Sequence, residues 1–189
     1  MSDNENVSPK KIYMKTFSNV KFNPLDPNPS DIKIEDIAHA LSYICRGNGQ
    51  VKSFYSVGQH CINAAKEASV RDLSERVILA CLLHDASEAY MSDFIRPIKE
   101  LMPTYREAEN RLLDVIYERF GLGALSVEEK RLVKEIDDAL LEYDMAELLY
   151  EPIPENGYKF RRTPDIKFRP FEEVEKEYLE IYKKYTCMI

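Results

Sequence analysis

His84 and Asp85 stand side by side at the end of the apolar run Ala80-Cys81-Leu82-Leu83, with Glu88 and Asp93 just beyond. One imidazole nitrogen next to one carboxylate oxygen is a borderline-hard donor set suited to a divalent cation. Glu88 follows His84 at the spacing that puts two side chains on one helical face, so both can point into one cavity. Two donors do not hold an ion. The chain has three histidines, and of the other two, His60 lies on an apolar helical stripe beside Val57 and Ala64. Asp137 lies beside Ile136 and Leu140 on a later helix, where a carboxylate is costly to bury unless it is paired or bound to a cation. His60, His84, Asp85 and Asp137 together offer two nitrogens and two oxygens from three helices, a set that can hold a catalytic ion with an open position.

The elements that must carry these residues read as helices. Ile34, Ile37, Ala38, Leu41 and Ile44 form one stripe, with His39 beside it. The stripe ends at Arg46-Gly47-Asn48-Gly49. Ser53 is placed to cap the next helix, which carries Val57, His60, Cys61, Ala64 and Ala68. A further helix is expected over Leu73–Tyr90, capped by Asp72 or Ser74 and stopped before Arg96-Pro97. Tyr105–Phe120 reads as a long helix closed by Gly121 and Gly123. Ser126-Val127-Glu128-Glu129 is a capping box opening a helix to about Tyr150, where Pro152 and Pro154 end it. The last helix is expected over Phe171–Tyr185. Before the first helix, Ile12–Val20 alternates enough for a short strand. The proline-containing stretch Lys21–Asp31 reads as a rigid loop over the helical body, its end supplying Ser30 or Asp31 as a cap. Residues 153–170 form a polar excursion bearing Lys159, Arg161 and Arg162. The expected fold class is all-α: one helical-bundle domain over residues 11–189 with a proline-rich N-terminal loop, preceded by a polar, disordered stretch over residues 1–10.

Composition narrows the function. The chain has 189 residues, 44% of them hydrophobic and 31% charged, with a formal net charge of −7. That balance suits one globular domain and argues against binding a nucleic-acid polymer, which needs a basic surface. A small phosphorylated substrate stays open, because a metal and a few local cations can hold one. The four cysteines, Cys45, Cys61, Cys81 and Cys187, form no CxxC pair and read as reduced thiols, which points to the cytoplasm. No apolar stretch is long enough for a membrane span.

The order His60 … His84-Asp85 … Asp137 resembles the HD-domain metal-dependent phosphohydrolase superfamily. Ile37-Ala38-His39, Arg46, Tyr55-Ser56-Val57-Gly58-Gln59-His60, the run from His84 to Asp93 and Val133-Lys134-Glu135-Ile136-Asp137 are similar to the branch of bacterial 5'-deoxynucleotidases and phage dATP triphosphohydrolases. The match covers roughly residues 20 to 150. The resemblance implies an HD-type domain in which His60, His84, Asp85 and Asp137 bind one divalent ion (Co, Mn, Zn, Fe or Mg). It further implies that Glu88 and Asp93 are catalytic, Asp93 serving the attacking water and Glu88 the departing oxygen, that Arg46 and His39 contact the substrate, and that the protein forms a homodimer. Where the nucleotidases place Trp after the phosphate-contacting Arg, Gly47 stands here, so base or sugar contacts differ.

On this reading the protein is a phosphohydrolase of (deoxy)nucleotides, either a 5'-deoxynucleotidase or a dNTP triphosphohydrolase. The competing reading is a non-catalytic HD module that binds a nucleotide as a sensor. For His39, packing or orientation of Arg46 competes with substrate contact. For Lys159, Arg161 and Arg162, a solvated charge run competes with a triphosphate clamp.

Overall fold

The computed structural model describes residues 13–152 and 158–187; the expected disordered stretch over residues 1–10 and part of the excursion lie outside them. The fold is mostly α-helical. In chain order the elements are β1 (Met14–Lys15), β2 (Lys21–Phe22), α1 (Ile34–Tyr43), α2 (Val57–Val70), α3 (Glu75–Leu83), α4 (Glu88–Met91), α5 (Arg96–Glu100), α6 (Pro103–Arg119), α7 (Val127–Leu149) and α8 (Phe171–Thr186). No helix among the described residues is long and apolar enough to cross a membrane.

The expected strand is a two-residue rung: Met14 pairs with Phe22 and Lys15 with Lys21, antiparallel. The hairpin is tied to α1 by Asp36, whose buried carboxylate accepts from Ser18 N (2.6 Å) and Ser18 Oγ (2.9 Å). Tyr13 and Phe17 of the hairpin are exposed, though Phe17 packs one face of its ring on His39. The proline-containing stretch then lies across α6, where Arg111 donates to the Leu25 carbonyl at 2.9 Å. Asn28 caps its single 3-10 turn, Pro29–Asp31, while Lys33 begins α1 without a side-chain cap. The cap expected from Ser30 or Asp31 is therefore absent, because those residues are inside the turn.

At the centre stand α2 and α3, folded back on one another and surrounded by α1, α7 and α8. Every residue of α3 from Val77 to Leu83 is buried, so this helix is apolar all round. Gly58 permits the close approach of α1: a β-carbon there would stand 3.2 Å from the backbone of Leu41 and 3.1 Å from Val174. The α2 cap is Ser56, not Ser53, its hydroxyl accepting from Gln59 N at 3.0 Å. The capping box at Ser126 and Glu129 forms as expected.

One face of α2 carries Gln59, Asn63 and Glu67, four residues apart and all buried. Together they bind the backbone of the excursion as a template would. Gln59 donates to the Lys167 carbonyl (2.8 Å), and Asn63 donates to the Asp165 carbonyl (3.0 Å) and accepts from Asp165 N (3.1 Å). Glu67 accepts from the backbone N–H of Arg161 (3.1 Å) and Arg162 (3.2 Å). Backbone groups leaving regular structure need such partners. The cluster Lys159, Arg161 and Arg162 thus belongs to a strap fastened by Glu67. Glu67→Ala would leave two amide donors without their charged acceptor, and a loss of about 2–4 kcal/mol is expected in urea denaturation of the variant.

Candidate metal centre

Four donor-bearing side chains converge between α2, α7 and the end of α3. Sequence periodicity extends α3 to Tyr90, but the helix ends at Leu83, and His84 to Ser87 form a turn before α4. The Nδ1 of His84 donates to the Cys81 carbonyl at 2.8 Å, one of the carbonyls the helix end leaves open. His84 and Asp85 therefore sit on a turn. His60 is fully buried on α2, and Asp137 reaches in from α7.

His60 Nε2 lies 3.2 Å from His84 Nε2 and 3.1 Å from Asp137 Oδ1. His84 Nε2 lies 3.3 Å from Asp137 Oδ1 and 3.3 Å from Asp85 Oδ2. His60, His84 and Asp85 offer donor atoms all within 4.8 Å of one another. For ligands about 2.1 Å from an ion, neighbouring donors stand about 3.0 Å apart in octahedral and about 3.4 Å apart in tetrahedral geometry. Those four separations fall in that range, while His60 Nε2 and Asp85 Oδ2 stand wider, at 3.9 Å.

The orientation of the rings supports the same fit. His60 Nδ1 donates to Asp144 Oδ2 at 3.1 Å, and His84 Nδ1 is committed to Cys81. With both Nδ1 protons engaged, both neutral rings aim an Nε2 lone pair at the same point, where two carboxylate oxygens also arrive. This is how a metal-binding histidine is held, with its second nitrogen donating to a carboxylate or carbonyl. Without a cation the cluster would be a meeting of acceptors, and the ionisation of its members reflects that demand. Burial disfavours a charged His84, yet the Asp85 carboxylate outweighs it and lifts the imidazole well above the usual histidine range. Burial likewise opposes ionised Asp137, but where protons take an ion's place on the facing nitrogens, hydrogen bonds from His60 and His84 hold it below the carboxylate range. Asp85 is held low against its burial by His84.

Arg46 closes one side of the cluster. Its Nη1 donates to Asp85 Oδ2 at 3.3 Å, and its Nε lies 3.6 Å from Asp144 Oδ2. Gly47 and Asn48 follow in the left-handed region, with φ of 60° and 53°. This conformation suits Gly and Asn and brings the chain back so that Lys52 N reaches the Leu148 carbonyl at 3.0 Å. Burial opposes the Arg46 charge, but Asp144 and Asp85, with smaller contributions from Asp93 and Glu88, raise its pKa further and keep it charged.

Glu88 begins α4 and is 3% exposed. Its Oε1 accepts from Lys99 Nζ at 2.7 Å, whereas Oε2 has no partner among the described residues. Burial, then the charges of Asp85 and Asp93, push its pKa well above the usual range despite Lys99. Asp93 is half-buried on the loop after α4, within electrostatic reach of both Arg46 and Glu88.

His39 is placed elsewhere. Its ring stacks on Phe17 at 3.7 Å between centroids, sits against Tyr43, and its Nδ1 meets Glu175 of α8 at 2.9 Å. Among the described residues its contacts join the hairpin, α1 and α8 and include none with the cluster.

Two residues that the sequence reading did not select complete the arrangement. Asp144 orients His60, and its only sequence signal is its position two turns after Asp137 on α7. Lys99 pairs with Glu88 from α5, and no spacing rule announces a contact between two separate short helices.

No family model matches the chain. A Rhodobacter capsulatus protein whose name assigns no activity is 39% identical to it over 135 residues, a stretch covering 68% of each protein. YfdR of Escherichia coli, also uncharacterized by name, is 39% identical over 110 residues, or 58% of this chain and 59% of YfdR.

Asp144→Asn should weaken divalent-metal affinity about 10–100-fold by isothermal calorimetry, because the ring of His60 loses its carboxylate partner. Proton and metal compete for His84 Nε2, and the raised pKa of His84 makes the proton the stronger competitor as pH falls. Apparent affinity should therefore drop between pH 8 and pH 6, by up to about tenfold per unit for one competing proton. A flat profile would argue against His84 as a ligand.

Proposed function

The chain belongs to the family of the Rhodobacter capsulatus protein, and, since that relative's name assigns no activity, we propose from the geometry of the centre that it is a divalent-metal-dependent phosphohydrolase of (deoxy)nucleotides, of the HD-domain kind its motifs resemble. The observation that carries this reading is the convergence of His60 Nε2, His84 Nε2, Asp85 Oδ2 and Asp137 Oδ1 beside a buried guanidinium and a buried carboxyl group with one oxygen unshared. A cation held by these four would lower the pKa of a water and draw charge from a phosphoryl oxygen.

The protein's own groups divide the remaining work. Arg46, charged and buried, meets the phosphate and stabilises charge that spreads over its oxygens as the bond to the leaving group loosens. It already bridges Asp85 and Asp144, so the guanidinium is oriented before substrate arrives. Asp93 positions the attacking water and accepts its proton. Glu88, whose surroundings favour the protonated form, supplies a proton to the departing oxygen through its free oxygen atom. His39 belongs to the packing between hairpin and α8 on this reading, which favours the structural alternative for that residue.

The substrate is a nucleoside monophosphate or a triphosphate, and one assay separates them. Free phosphate from dAMP and triphosphate from dATP would be measured with Co²⁺, Mn²⁺, Zn²⁺, Fe²⁺ and Mg²⁺ added singly to chelator-stripped protein. The sensor reading predicts calorimetric nucleotide binding without product under all five metals. The reduced state of the four cysteines supports a cytoplasmic setting. Apolar residues exposed along and after α5, Ile95, Ile98, Leu101 and Met102, offer surface for the expected homodimer.

Arg46→Ala should raise KM about 10–100-fold, the value of a lost charge-assisted contact to phosphate. Asp93→Asn should lower kcat by about 10²–10⁴ while leaving bound metal, measured by elemental analysis, unchanged. Unaltered turnover in Asp93→Asn would remove its assigned role.

A further inference from the structure

Lys99 makes a contact that the folding of its own helix does not account for. It sits in α5, a helix of five residues, and its Nζ donates to Glu88 Oε1 at 2.7 Å and to Glu109 Oε1 of α6 at 2.9 Å. Tyr105 braces the same corner. Its hydroxyl lies 3.5 Å from that Glu109 oxygen and 3.0 and 2.9 Å from the carbonyls of Met91 and Ser92 at the end of α4. A lysine drawn in among carboxylates loses hydration that the ion pair must offset. Apolar burial does not explain the arrangement, because Ile95, Ile98 and Leu101 of this segment are exposed while the charged side chain is turned inward. What the clasp does secure is one side chain. Glu88 is held at Oε1 and has no partner among the described residues at Oε2, a buried oxygen that ordinarily would find one.

We propose that Lys99, bridging Glu88 and Glu109, is a positioning residue that fixes the Glu88 carboxyl group so that Oε2 alone is presented to the reacting phosphate. This rests on the phosphohydrolase reading for its consequence in turnover, though the geometric claim stands apart from it. Lys99 contacts no metal-directed side chain among the described residues, so it acts on the proton-transfer group and not on ion binding. A carboxyl group released from Oε1 is free to rotate, and misplacement of a reacting group by about 1 Å costs on the order of a hundredfold in rate.

The test compares Lys99→Met, which keeps most of the stem, with Lys99→Arg, which keeps the charge and can still bridge two carboxylates. Glu109→Gln, which loosens the far end of the clasp, is a second probe should Lys99→Met fail to fold. In Lys99→Met, kcat should fall about 10–100-fold, with KM and the dissociation constant for Mn²⁺ unchanged. Lys99→Arg should recover to within about threefold of the parent, and Glu109→Gln should show a smaller loss in the same direction. Crystal structures of the parent and Lys99→Met supply a readout independent of turnover. A displaced or multiply placed Glu88 side chain supports the proposal, and an unmoved one overturns it. Loss of activity that tracks loss of bound Mn²⁺, with no rescue by Lys99→Arg, also overturns it. If the parent protein hydrolyses no nucleotide, the phosphohydrolase reading fails by itself, and the Glu88 conformation in the variant crystal still decides the positioning claim.

Discussion

Two imidazole nitrogens and a carboxylate oxygen standing 3.1–3.3 Å apart inside a protein need positive charge among them. Everything around the cluster is arranged on that condition. The protons that might have relieved it are turned outward, one toward Asp144 and one toward the Cys81 carbonyl. Arg46 neutralises the flank on which Asp85 and Asp144 lie, and Lys99 neutralises the flank on which Glu88 lies, but neither is among the contacts of the two Nε2 atoms. The demand left over is central, and an ion of charge two would meet it better than a proton, because several donors could share it at once.

Helix α2 makes this concentration of polar groups tolerable. One of its faces presents His60 to the cluster, and another presents Gln59, Asn63 and Glu67 to the backbone of the strap. Buried polar groups are tolerated in the core when they find partners, and on both sides of α2 they do, with Gln59 Oε1 the exception among the described residues, while its apolar residues, Val57, Cys61, Ala64, Ala65 and Ala68, fill the space between. Gly58 lets α1 lie against it at backbone distance. The same close packing that stabilises the bundle thereby fixes the position of His60, as a coordination site would require.

The legibility of this protein in its sequence follows from which interactions are local. The capping box at Ser126 and Glu129, the apolar stripes of α1 and α7, and the glycines after α6 are short-range signals, and the elements that carry them form as read. That His60 and Asp137 face one another across the bundle was legible because donor chemistry on an apolar helix face is conspicuous, and His84-Asp85 stood out as an adjacent pair at the end of an apolar run. The end of α3 was not. No glycine or proline interrupts Leu83 to Tyr90, and the turn is set by where His84 must point and by the carbonyl of Cys81 that its ring satisfies. The two alternatives for His39 could not be told apart in the sequence, because a histidine beside an apolar stripe has the same appearance whether it faces a substrate or stacks on Phe17. The contacts of Asp144 with His60 and of Lys99 with Glu88 join residues on different elements, and periodicity carries no information about such pairs.

The two sides of the centre are built on different foundations. His60 and Asp137 stand on long helices embedded in the core, whereas Glu88 and Asp93 belong to α4 and the loop after it, a segment of a few residues. That segment is seated in the core by Tyr90, which packs on Phe22, with Ala89 and Met91 beside it, and its ends are secured by polar clasps: Tyr105 on the Met91 and Ser92 carbonyls, the Ser92 N–H on the Glu88 carbonyl at 2.8 Å, and Lys99 on the Glu88 side chain. Hydrogen bonds of this kind are directional but individually worth only about 0.5–1.5 kcal/mol net, rising to about 1.5–3 where a charge takes part. Glu88 thus depends on directional side-chain contacts for its placement, whereas His60 and Asp137 are placed by the packing of long helices. On the proposed reading, a centre divided in this way could change how it handles a leaving group through α4, α5 and their clasps, while the helices that carry His60 and Asp137 stay as they are.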